Sequence, residues 1–83
     1  MREDMPQMVR AALIKHGVTV VDEVSLRVEL ERRLSSYTLY RLTPAASRRW
    51  NCKYRLMFGA TYIDCQTVAE AYARALLAVV SAP

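Results

Sequence analysis

Residues 50–65 read WNCKYRLMFGATYIDC, and their alternation decides the fold. Gly59-Ala60 suits a two-residue hairpin turn, because glycine at the first turn position accepts the positive φ of a type II′ turn. Folded there, Trp50, Cys52, Tyr54, Leu56 and Phe58 share a face with Thr61, Ile63 and Cys65. That face is apolar and calls for cover by helices. The opposite face carries Asn51, Lys53, Arg55, Met57, Tyr62 and Asp64 and is expected to stay open. The register sets Cys65 opposite Tyr54 and Cys52 opposite Thr67. The two sulfurs then sit diagonally, about 7–8 Å apart, too wide for an unstrained disulfide. Both cysteines read as buried thiols.

Downstream, Thr67-Val68-Ala69-Glu70 is a capping box that starts a helix with Val68, Tyr72, Ala75, Leu76 and Val79 on its buried stripe. Glu70 and Arg74 pair on its outside. Upstream, Tyr37 to Thr43 is rich in aromatic and β-branched residues and reads as a strand that stops at Pro44. A loop from Pro44 to Arg49, carrying Ser47-Arg48-Arg49, leads to the hairpin. Asp22 to Ser35 fits two patterns. Leu26, Val28 and Leu30 alternate like a strand, while Leu26, Leu30 and Leu34, with the pairs Arg27–Glu31 and Glu29–Arg33, repeat like a helix. Length, strong helix formers and the third leucine favour helix. Val18 to Val21 reads as a short extended stretch. Before it, Asp4 caps a first helix, Pro6 lies in its first turn, Gly17 ends it, and Met5, Met8, Val9, Ala12 and Leu13 form its apolar face. The expected order is α-α-β-β-β-α. This is one α+β domain over residues 1–83, with a three-stranded antiparallel sheet, helices packed on one face and the other face open.

Eighty-three residues leave no room for two separate cores, and a hydrophobic fraction of 53% is enough for one packed interior. The longest apolar run, Ala75 to Val80, is far short of the roughly 20 residues a membrane helix requires. The N-terminus lacks the apolar stretch of a signal peptide, so the expected compartment is the cytoplasm. Motifs for phosphate loops, nucleophile elbows and metal-binding helices are absent. His16, the single histidine, reads as a helix-end residue, and two cysteines are too few for a self-sufficient zinc site. No catalytic residue, cofactor or metal is expected, and the chain reads as a binding protein.

Charge is uneven along the chain. Residues 1–31 hold four basic and six acidic side chains, and residues 32–83 hold eight and two, giving the formal net charge of +4. Ten of the twelve cations are arginine, whose planar fork suits carboxylate and phosphate. On the open face Lys53 and Arg55 are two apart on one strand, with Tyr62 across the hairpin and Arg48 and Arg49 in the preceding loop. Arg48, Arg49, Lys53, Arg55 and Tyr62 are the candidate partner-binding residues, with Arg41 able to extend the patch. Clustered cations beside an aromatic suit an acidic protein surface, a nucleoprotein complex, or nucleic acid directly. The competing reading is a solvated strand face that keeps the edge soluble.

The segment Arg49-Trp50-x-x-Lys53-Tyr54-Arg55, then Thr61-Tyr62, then Thr67-Val68-Ala69-Glu70-Ala71 resembles the arm-type DNA-binding modules of tyrosine recombinases. The resemblance spans Arg48 to Leu77, about a third of the chain. It implies a sheet that enters a DNA groove, with Lys53 and Arg55 on phosphates or bases. The two N-terminal helices have no counterpart in that family, and the second strand here lacks basic residues. In type, as a tiny single domain without catalytic motifs, the chain also resembles the accessory proteins of phages and mobile elements, anti-CRISPR proteins among them. That likeness implies an inhibitor that occupies a surface on a larger protein or nucleoprotein assembly, and it assigns no individual residue.

Overall fold

A computed structural model describes residues 7–19 and 22–81. The elements run α1 (Gln7–Lys15), α2 (Glu23–Glu31), β1 (Thr38–Arg41), α3 (Pro44–Trp50), β2 (Tyr54–Phe58), β3 (Thr61–Cys65) and α4 (Val68–Ser81). The three strands form an antiparallel sheet in the order β1-β2-β3. Phe58 faces Thr61 and Tyr54 faces Cys65, the register that a Gly59-Ala60 turn dictates. Gly59 has φ 56°, as the first position of that turn demands.

Helix α4 is the axis of the packing. It touches β2 and β3 on one side and α1 and α2 on others. Accordingly Ala71, Tyr72, Ala73, Ala75 and Leu76 are all buried, a wider band than the single stripe expected from spacing. The three alanines let neighbouring elements approach closely, while Leu76 fills the interior with Leu13, Leu26, Leu30 and Leu56. Burying each such leucine contributes about 1.5–3 kcal/mol. The Thr67 hydroxyl accepts from the Glu70 amide at 3.1 Å, which starts the helix. The Glu70 carboxylate accepts from Arg74 Nε at 2.7 Å.

The N-terminal helices follow their end signals. Gly17, at φ 83°, donates to the Ile14 carbonyl, and Val18 donates to the Leu13 carbonyl. This is a Schellman closure, completed by burial of both Val18 and Leu13. Residues 22–31 form a capped helix rather than a strand. The Asp22 side chain accepts from the Ser25 amide, and Leu26 and Leu30 are fully buried. Glu29 pairs with Arg33 as its spacing implies, and with Arg32 as well. Glu31 accepts from the Tyr37 hydroxyl at 2.5 Å rather than from Arg27. Tyr37 in turn meets Tyr72 of α4 edge-on, with ring centroids 5.9 Å apart.

Three expectations are corrected. Met8 is 75% exposed and does not join Val9 and Leu13 in the core, because a nine-residue helix packed against α4 buries only a narrow stripe. Val18 and Thr19 carry no regular structure. Residues 44–49, expected as a loop, belong to α3, and Trp50 ends that helix instead of opening a strand. The physical reason lies at its two ends. Thr43 caps the helix through its side chain, Pro44 occupies the first turn with its preset φ, and Asn51 closes it at φ 56°. The expected roles of Asp4, Met5, Pro6, Val20 and Val21 lie outside the described residues.

The packing around α4 predicts a sharp contrast between two alanines of one helix. Ala73→Leu forces extra volume into a filled interior and should cost about 1–3 kcal/mol in urea unfolding. Ala78→Leu, at an exposed position, should leave the midpoint nearly unchanged. Equal effects would contradict the axial placement of α4.

Candidate binding surface

The sheet face turned away from α4 is ordered by strand register. Tyr40, Arg55 and Asp64 lie abreast across the three strands, and Thr38, Met57 and Tyr62 form the next row. Arg55 organises this face. Its Nε donates to Asp64 Oδ1 at 2.7 Å and its Nη2 donates to Oδ2 at 3.0 Å, a two-pronged fit that only a guanidinium provides. The same guanidinium carbon lies 4.3 Å from the centre of the Trp50 ring and 4.4 Å from that of Tyr62. Cation–π attraction thus fastens the end of α3 to the outer face of the sheet. Arg55 holds the Asp64 carboxyl below its ordinary range by donating to its charged form.

Because α3 folds against this face, a hollow of about 390 Å³ opens between them, lined among others by Tyr40, Leu42, Ala46, Trp50, Arg55 and Met57. Its aromatic walls remain accessible, with Trp50 43% and Tyr40 47% exposed, and Tyr62 beside them is 58% exposed. Trp50 therefore stands on the outer face, opposite to the side its parity assigned. Strand parity does not extend into residues 44–50, which are helical.

Of the sequence candidates, Arg55 and Tyr62 meet directly, and Arg48 and Arg49 project from the last turn of α3. Lys53 does not share the hollow of Arg55. It lines a neighbouring one with Arg41, Leu42, Pro44, Ser47 and Tyr54. Tyr40 and Trp50 were not among the candidates. The helix-start signal at Thr43-Pro44-Ala45-Ala46 would have revealed Trp50, and alternation with Leu39 on β1 would have revealed Tyr40.

The charge left over is localised. Residues 1–33 hold six basic and six acidic side chains, so the net charge of +4 resides in residues 34–83. The two acids there, Asp64 and Glu70, are taken by Arg55 and Arg74. The four remaining cations are Arg41, Arg48, Arg49 and Lys53, and among the described residues none of them forms an ion pair. All four lie on or beside α3.

Both cysteines are unpaired and buried. Burial pushes the Cys65 thiol up to about 12 and raises that of Cys52 as well, so neither is poised as a thiolate nucleophile. No helix among the described residues is long and apolar enough to cross a membrane. Compared with known proteins, the chain matches no family model, no curated protein and no solved structure.

Two outcomes follow. Asp64→Asn should lower the unfolding midpoint at pH 7, because it removes the anion that Arg55 grips. Since the carboxyl is depressed in the fold, its contribution is complete above the unfolded value of about 4 and disappears as pH falls through the lower folded value. Urea midpoints of the two proteins should therefore differ at neutral pH and converge in acid, whereas a difference independent of pH would refute the pairing. In the native protein at pH 8 a thiol reagent should label neither cysteine until denaturant is added. Rapid labelling of either one would reopen thiol chemistry.

Proposed function

We propose that the protein is a non-enzymatic binding module that inhibits a larger protein or nucleoprotein assembly by occupying an anionic surface on it, through the face built by α3 and the outer side of the sheet. One observation carries the reading: an aromatic hollow held in shape by Arg55 has Arg41 in its lining and adjoins a second hollow lined by Arg41 and Lys53, within the stretch 41–53 that also carries Arg48 and Arg49 and so all of the chain's uncompensated charge. Exposed tryptophan and tyrosine give anchoring area at low conformational cost, and unpaired cations steer an acidic partner and set its register. Buried, unactivated thiols fit binding better than nucleophilic catalysis. The chemistry divides the original candidates by role. Arg48, Arg49 and Lys53 supply free charge, Tyr62 supplies contact area, and Arg55 positions the rings.

Direct binding to nucleic acid through the same face is the second reading, favoured by the cations on one short helix. It predicts affinity that falls steeply with salt, as phosphate counterions are released.

The triple variant Arg48→Glu/Arg49→Glu/Lys53→Glu should keep its circular dichroism and unfolding midpoint, because none of the three supports the fold through an ion pair. It should lose the species that the unaltered protein retains in affinity capture from its native cell extract. Retention of the same species by a folded triple variant would overturn the assignment of this face.

A further inference from the structure

Two hollows adjoin where β1 leaves the sheet. The aromatic one has Tyr40, Trp50 and Met57 in its wall. The second, about 230 Å³, is lined by Arg41, Ser47, Lys53 and Tyr54 with Leu42 and Pro44. Arg41 and Leu42 line both, so the two are neighbours along one surface. Their chemistries differ. The second offers two cations without a carboxylate partner among the described residues, plus the hydroxyls of Ser47 and Tyr54. The first offers flat aromatic area, and of the two arginines in its lining Arg55 is already matched by Asp64, while Arg41 is shared with the second hollow.

We infer that the adjoining hollows take one nucleotide unit of single-stranded nucleic acid, the phosphate against Arg41 and Lys53 and the base against Trp50 and Tyr40. The inference rests on reading this face as the binding surface, and narrows it to the nucleic-acid part of a nucleoprotein partner. A nucleotide is the unit that joins a compact oxyanion to a planar aromatic group at short range. A run of aspartate and glutamate alone satisfies the cations but brings no flat group to the neighbouring hollow. A paired base stays in its stack and cannot enter, whereas an unpaired base stacks on an exposed ring with little dependence on sequence. Arg48 and Arg49, farther along α3, continue the cationic path for a flanking phosphate.

Trp50 is the only tryptophan, so its fluorescence reports occupation of the aromatic hollow directly. The unaltered protein is titrated at low salt with a labelled oligo(dT), a duplex of equal length and polyglutamate of equal charge. Anisotropy reports binding of the labelled nucleic acids, and Trp50 emission is followed in every titration. Oligo(dT) should bind and quench Trp50, the duplex should bind more weakly without quenching, and polyglutamate should leave Trp50 unchanged. Arg41→Ala/Lys53→Ala, which removes the two exposed cations facing that one phosphate, should reduce the slope of log affinity against log salt by about 0.7, the value for one phosphate contact. Absence of binding by oligo(dT), or binding that leaves Trp50 unquenched, overturns the nucleotide assignment. Equal quenching by polyglutamate overturns it too. The broader reading of the face fails separately, by the charge-reversal capture.

Discussion

Arg55 is the side chain on which the exposed half of the molecule depends. Its charge is satisfied by Asp64 on the neighbouring strand, and that pairing fixes the guanidinium plane. A fixed plane gives the Trp50 and Tyr62 rings something to lie against. Without it the Trp50 ring would lose its seat on the sheet, and the hollow would lose a wall. A lysine offers one point charge where two prongs and a flat surface are needed.

The buried half answers to a different constraint. One helix, α4, has to satisfy the sheet and two other helices at once. Small side chains at positions 71, 73 and 75 permit the approach, and leucines from every layer close the gaps. Such a core has little volume to spare for a deep cavity. Helix α4 and the leucines hold the domain together, while α3 and the outer sheet face form the surface proposed to meet a partner.

Much of this was legible in the residues, and the exceptions share a cause. Gly59-Ala60, the Thr67 cap, the Gly17 closure and the leucine spacing of α2 are local signals, and each appears in the structure where its local physics puts it. The segment from Pro44 to Trp50 carries an ambiguous signal, because proline ends a strand but after a threonine cap equally begins a helix. Strand parity therefore does not reach back to Trp50, which ends α3 and stands on the outer face. The role of Arg55 was hidden for another reason. Its partnership with Asp64 follows from the register, but whether it also meets Trp50 depends on where α3 folds, which no local pattern states. Lys53 and Arg55, two apart in the chain, looked like a pair. The regular strand begins only at Tyr54, and the two side chains line different hollows.

The central claim is that the face made by α3 and the outer sheet, and no other, meets the partner. Mapping backbone amide shifts by NMR as single-stranded oligonucleotide is added tests this most directly. The account predicts shifts confined to residues 40–57 and to Tyr62, with the Trp50 side-chain N–H among the most affected and α1 and α2 silent. Shifts concentrated on α1 and α2, around the exposed Met8 and Val28 for instance, would contradict it.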